Sequence, residues 1–196
     1  MKTVIVFDHP YTIAASHNQP HFRSYSAAIA QHAVDTLTHR GEIVDVIDLH
    51  ADHFNPVLTA TELTNWRTKQ VVDTQAENYY QRLAAADQII FIFPLWWEVT
   101  PAMTNGFLDK VLSKRHYQAT RPRLLPKKPR IVALTTAGTP TSLYKWIFGN
   151  PVTKMLKRGT FNKLGLYNYH WLNSTPEKQS EASRTKSLAK IDRIIK

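Results

Sequence analysis

The chain has no cysteine in 196 residues. That single absence excludes disulfides, thiolate nucleophiles, iron–sulfur ligation and cysteine zinc sites, and it favours a cytoplasmic location. Also missing is any apolar run near the roughly 20 residues that a membrane-spanning helix needs, so no membrane insertion is expected. The opening MKTVIVFDHP carries one lysine and a short apolar run without a small-residue cleavage site, and reads as a first strand rather than an export signal. There is no internal repeat, linker or low-complexity tract, and the length suits one domain, residues 1–196, with a full core.

The third absence is of carboxylates in one region. From Lys110 to Pro176 there are 13 Lys and Arg and no acid, whereas Met1 to Asp109 holds 6 Lys and Arg against 12 Asp and Glu; the whole chain stands at +10. Such asymmetry fits an anionic ligand, or self-association of the basic region with the acidic half of another copy. The basic residues are spread over several elements, with no zinc-finger spacing, no RNA-binding aromatic signature and no long basic helix, which argues against a nucleic-acid partner.

What is present is an alternation of strands and helices. KTVIVFD, EIVDVID, DQIIFIFP, PRIVALTT and KLGLYNYHW read as strands, and the first, third and fourth have the continuous apolar interior of parallel strands covered on both faces. Between the first two, Ile29, Ala33 and Leu37 recur at helical spacing, with Ser24 as N-cap and Gly41 just past the end. After the third strand, Thr100 is expected to cap a helix with Pro101 at its first position and Met103, Phe107 and Val111 on one face. Further helices are expected at TQAENYYQRLAAA, around Tyr144 to Leu156, and at the C-terminus with Leu188, Ile191 and Ile195 in register.

A doubly wound sheet of this kind binds ligands outside the carboxyl ends of its strands. Three loops fall there: DHP after the first strand, FPLWWEVTPAM leaving the third, and TTAGTP after the fourth. The first is a His-Pro turn, the second a paired-aromatic turn, and the third a small Thr/Gly turn that lets a ligand approach backbone amides.

Taken in order, these segments resemble the flavodoxin-like NAD(P)H:quinone oxidoreductase family, which includes DT-diaphorase and the bacterial general-stress and drug-modulator quinone reductases. FPLWWEVTPAMTNGFLDKVL is similar to the family's aromatic turn and following helix, DHP with RSYSAAIA to its phosphate loop, and LTTAGTPTSLY to its threonine–glycine turn with a tyrosine beyond. The resemblance implies an α/β three-layer sandwich with a five-stranded parallel sheet in the order 2-1-3-4-5. It implies a flavin, FMN with FAD as the alternative, whose phosphate meets His9, Ser24, Tyr25 and Ser26 at a helix N-terminus. Leu95, Trp96, Trp97 and Glu98 would bring amides and a ring face to the flavin, and Thr135, Thr136, Ala137 and Gly138 would flank its other edge. Tyr144 and Tyr117 are the implied catalytic residues, the first hydrogen-bonding the reduced ring and the second acting as a lid. The implied reaction is two-electron, ping-pong transfer from NADPH to a quinone-like acceptor by a homodimer; the alternative is a regulatory flavoprotein of a potassium-efflux system.

One departure matters. Where DT-diaphorase has a histidine shortly after the tyrosine, this chain has YKWIFGN, with Phe148 nearest, and a phenylalanine moves no proton. His50 and His53 in DLHADHF lack further ligands at sensible spacing, so no metal is expected. The stretch between DHP and RSYS, with Ser16, His17 and Asn18, either covers the cofactor's outer end or is a plain surface loop. Lys114, Arg115, Arg121 and Arg123 are expected around the mouth of the slot, where they would favour NADPH over NADH.

Overall fold

The computed structural model describes residues 1–17, 19–116, 124–177 and 179–195. Asn18, Tyr117, Arg121 and Arg123 lie outside the described residues.

The strands are β1 (Lys2–Phe7), β2 (Ile43–Asp48), β3 (Gln88–Pro94), β4 (Arg130–Thr136) and β5 (Tyr169–Ser174). They form one parallel sheet in the order β2-β1-β3-β4-β5, as the resemblance implies. The helices are α1 (Tyr25–His39), α2 (Ala60–Asn65), α3 (Thr74–Ala84), α4 (Ala102–Val111), α5 (Thr141–Trp146), α6 (Pro151–Thr153) and α7 (Glu181–Ile191), with a π-helical stretch, Lys154–Phe161, continuing α6.

Successive side chains of a strand point to opposite faces, and here both faces are dry. Val4, Val6, Ile89, Phe91, Ile131 and Ala133 join the α3 and α4 side with Phe107, Val111 and Leu83. Ile5, Phe7, Ile90, Ile92, Val132 and Leu134 face α1 and the C-terminal segment through Ile29, Ala33, Leu37, Ile191 and Ile195. Gly106 of α4 is required by this packing, because a Cβ there would lie 2.2 Å from the carbonyl oxygen of Pro56.

Several local expectations shift. KLGLYNYHW is not all strand: Lys163 and Leu164 finish a 3-10 turn closed by left-handed Gly165, and β5 starts at Tyr169. Thr100 does not cap α4. It is buried, its hydroxyl donates to Asn105 Oδ1 at 2.7 Å, and Pro101 takes the cap position without a side-chain bond. The helix around Tyr144 breaks at Gly149 and Asn150, whose φ values of 73° and 55° are left-handed.

The basic stretch is partly consumed inside the fold. Lys110 is buried between Glu62 Oε1 at 2.9 Å and Asp73 Oδ2 at 2.7 Å, tying α4 to α2 and to the start of α3. Burial works against ionisation of both acids, yet their bonds from Lys110 and from the helix starts outweigh it and hold both carboxyls below their usual range. Stability from these two acids is therefore present above the ordinary carboxylate pKa and lost as pH falls through their lowered values. Lys110→Met should cost about 1–3 kcal/mol by leaving two partly buried carboxylates without their shared partner, and should reduce that acid-side slope; urea unfolding across pH 3–7 measures both.

Candidate active site

The four carboxyl-edge loops that follow β1, β3, β4 and β5 meet over the sheet. Ser24 caps α1, its Oγ accepting from Ala27 N at 3.3 Å, so the amides of the first turn open toward the β1 loop. His9 Nδ1 accepts from Tyr11 N at 3.1 Å, which places the imidazole proton on Nε2 and leaves that N–H as a donor. Burial, then the neighbouring His50, pushes the His9 pKa down, so this donor is a neutral ring. In DLHADHF, His50 Nε2 lies 3.1 Å from buried Asp8, whose other oxygen accepts from Thr104 N and Oγ1.

The β3 loop is a strained hairpin. Trp96 and Val99 exchange backbone hydrogen bonds of 3.2 and 3.1 Å, leaving Trp97 and Glu98 as the two central residues at φ 52° and 63°. Both are left-handed, the pattern that Asn-Gly normally supplies, and each costs an L residue roughly 1–2 kcal/mol. The β4 loop offsets this. The Tyr144 hydroxyl donates to Glu98 O at 2.8 Å, and Thr139 Oγ1 donates to Glu98 Oε1.

Trp96, Leu95, Thr136, Ala137 and Gly138 come together as expected, lining a slot of about 140 Å³ with Pro94, Pro176 and Glu177. Trp97 does not line it: at the hairpin tip it is 97 % exposed. Among the described residues the amides of Trp97, Glu98 and Gly138 donate to no protein acceptor, whereas those of Leu95, Trp96 and Ala137 are engaged by Thr136, Val99 and Ser174. The expectation of ligand contact through the Leu95 and Trp96 amides is corrected accordingly, because sheet pairing and the hairpin use them first.

Three further residues turn away from the slot. Ser26 Oγ lies 2.8 Å from Thr136 Oγ1, both buried, so it links α1 to β4 instead of facing a phosphate. Thr135 is fully buried and bonded to Asn173 Oδ1 and Trp171 Nε1. Tyr144 is also fully buried, and its oxygen both donates to Glu98 O and accepts from Val152 N at 3.0 Å. Burial first, then the nearby Glu98, pushes its pKa up to about 12. Its hydroxyl is thus engaged as a brace for the hairpin, where the resemblance implies a hydrogen bond to a reduced ring.

Beyond Ser24 a larger cavity of about 570 Å³ opens, sharing Pro176 and Glu177 with the slot and lined also by Ala15, Ser16, Arg23, Tyr25 and Arg184. Tyr25 donates to Arg184 O at 3.0 Å, and the Arg184 guanidinium holds Pro176 O. Arg23, Glu177 and Arg184 were not singled out in the sequence; the first acid after the acid-free stretch, standing before the last helix, was the available signal. The β1 loop reaches this cavity through Ala15 and Ser16. Arg115 is elsewhere: α4 carries the chain back along the sheet, where Arg115 is buried against Glu77 at 2.8 Å and Lys114 lies over Trp66. The expected ring of charge at the mouth therefore loses both.

A doubly wound parallel sheet with a groove at its carboxyl edge defines a flavodoxin-like α/β protein. The chain belongs to the flavodoxin-like fold family, whose sequence profile it matches over residues 1–195. A Haemophilus influenzae protein named as an uncharacterized NAD(P)H oxidoreductase is 28% identical over 100% of this chain and 98% of its own. A ribosyldihydronicotinamide dehydrogenase [quinone] of Pongo abelii is 32% identical over 65% of this chain and 63% of its own. Two solved structures share the fold: an NAD(P)H:quinone oxidoreductase from Methanothermobacter marburgensis, with TM-score 0.79, 20% identity and coverage of 98% and 93%, and an FMN-dependent NADH-azoreductase from Bacillus anthracis in complex with FMN, with TM-score 0.77, 18% identity and coverage of 100% and 98%. The resemblance to the NAD(P)H:quinone oxidoreductases read from the motifs holds.

Tyr144→Phe keeps the ring and removes both bonds, leaving the buried Val152 amide without a partner. It should lower unfolding free energy by about 1–3 kcal/mol, read as a reduced urea midpoint with an unchanged slope.

Proposed function

We propose that the protein is a flavoenzyme that takes hydride from NAD(P)H and passes two electrons to a quinone or a comparable flat electrophile. The carrying observation is the paired groove, a narrow slot between Trp96 and Gly138 that adjoins a larger cavity at the N-terminus of a 15-residue helix. A flat ring suits the slot and a phosphate suits the helix end. The residues fit such a group. Among the described residues the amides at Trp97, Glu98 and Gly138 donate to no protein acceptor, and Gly138 keeps room beside Glu177, whose carboxylate would lie 3.2 Å from any Cβ there.

When bound, the flavin supplies the hydride chemistry. The chain's own residues bind and orient. His9 Nε2–H and the first-turn amides of α1 receive phosphate, Trp96 walls the slot, and Tyr144 holds the hairpin in place. With the Tyr144 hydroxyl engaged by Glu98 O and Val152 N, and with Phe148 carrying no proton, water is the proposed source of protons for the acceptor. FMN was the first expectation, but a mononucleotide ends at the phosphate. The adjoining 570 Å³ cavity, with Arg23 and Arg184 beside Glu177 and Glu181 in its walls, has the size for an adenosine, and its size supports reading the cofactor as FAD.

The aromatic rim supports a homodimer. Trp97, Trp146, Ile147 and Phe148 are 97, 83, 71 and 50 % exposed on loops braced to each other, an apolar edge that a second copy would cover. Donor and acceptor are proposed to use the same face of the ring in turn.

Heat-released cofactor identified by mass should be FAD at about one per chain; FMN would remove the adenylate reading only, and a colourless protein would remove the flavin. With Arg115 and Lys114 withdrawn, Lys145 and Lys154 on the segment after the β4 loop carry the positive field at the rim. NADPH should exceed NADH in kcat/KM, and its advantage should shrink with salt as charges are screened over about 8 Å at physiological ionic strength. Equal, salt-independent values would assign the basic stretch to internal pairing alone.

A further inference from the structure

The Trp97–Glu98 turn holds a conformation that neither residue favours, so its persistence has to come from outside the turn. Among the described residues the side-chain hydrogen bonds that hold it run to Glu98 from the β4 loop and α5: Tyr144 grips the backbone oxygen, and Thr139 grips Oε1. Glu98 Oε2 is buried and unpartnered among the described residues, so the hydroxyl of Thr139 is the one hydrogen-bond partner the carboxylate has there. Trp97, next in the chain, has a ring that touches solvent on all sides. Among the described residues of the single chain nothing packs around that ring, and the backbone of the turn sets where it starts from.

We propose that Glu98 is a positioning residue for the reaction, its bond to Thr139 acting as a latch that sets where Trp97 stands at the mouth of the slot and so how a flat acceptor is held there. This rests on reading the slot as the flavin and acceptor site. A glutamate at the second position of this turn is a poor choice for stability, since glycine adopts φ 63° without steric cost. A role in stability alone would be served better by glycine. Glycine also keeps the backbone oxygen that Tyr144 grips, so Glu98→Gly removes the latch and relieves the strain at once. Glu98→Gln keeps an Oε1 acceptor for Thr139.

The test measures four things on Glu98→Gly, Glu98→Gln and Thr139→Val: thermal midpoint, bound flavin, steady-state constants for a benzoquinone, and the fluorescence anisotropy attributable to Trp97. The last is the difference between each variant and the same variant carrying Trp97→Phe. Glu98→Gly should melt no lower than wild type and keep its flavin, while KM for the quinone rises roughly tenfold and kcat falls less than KM rises. Trp97 anisotropy should drop, Thr139→Val should reproduce both effects, and Glu98→Gln should restore the quinone KM and the anisotropy. Unchanged KM and anisotropy in Glu98→Gly would overturn the proposal. So would a Gln variant as impaired as the Gly one, because the role would then belong to the charge and not to the hydrogen bond. If wild type bound no flavin, the functional reading would fail separately and take the acceptor part of the proposal with it, and the anisotropy would still decide whether the latch exists.

Discussion

Ile92 pairs with both Phe7 and Leu134, and Thr136 pairs with both Pro94 and Ser174. This parallel register ends β3, β4 and β5 at one level and β1 two residues short of it, so the loops that leave them meet at one edge. It is fixed by burial on both faces, since a one-residue slip of β3 would send Phe91 and Phe93 to the α1 side and Ile90 and Ile92 to the other. The slot is thus a consequence of the sheet's core and needs no separate folding instruction.

On that platform the loops are braced by short polar links instead of by their own packing. Asp8 ties the β1 loop to α4 and to His50; Ser26 ties α1 to Thr136; Tyr144 and Thr139 hold the β3 hairpin. Ser26, Thr136, Tyr144 and Glu98 in these links are, read from the sequence, candidate ligand contacts. A fold that builds its binding edge this way has two layers of polar residues, one that faces the ligand and one that holds the first in place. Charge is divided in the same manner. Lys110 and Arg115 are taken into internal ion pairs, and Lys145 and Lys154 stay exposed on the segment beyond the β4 loop.

Much of this was legible. Continuous apolar runs gave β1, β3 and β4 to within a residue, and Ser24 and Gly41 bracketed α1 because capping is a local rule. α2 was missed although Thr59 and Glu62 form a capping box, because only six residues follow it and none is buried. The start of β5 was misplaced because Lys163 and Leu164 belong to a turn set by Gly165, which apolar pattern alone does not reveal. At the site, the sequence located the loops and not the direction of each side chain. Ser26, Thr135 and Tyr144 turn inward because partners on other strands, Thr136, Asn173 and Glu98, claim their hydroxyls, and such pairings at separations of 38 to 110 residues leave no local trace. Arg115 was misplaced for a similar reason: Glu77, far away in sequence, draws it to α3.

The account's central claim is that the carboxyl-edge slot holds a redox-active ring that meets donor and acceptor in turn. Anaerobic stopped-flow spectroscopy of the purified protein tests it most directly, with NADPH added first and a benzoquinone added only after the nucleotide has reacted. The account predicts that the visible flavin bands bleach with NADPH alone and return in full when the quinone follows. Bands that stay unchanged until both substrates are present together, or that never respond to the nucleotide, would contradict it.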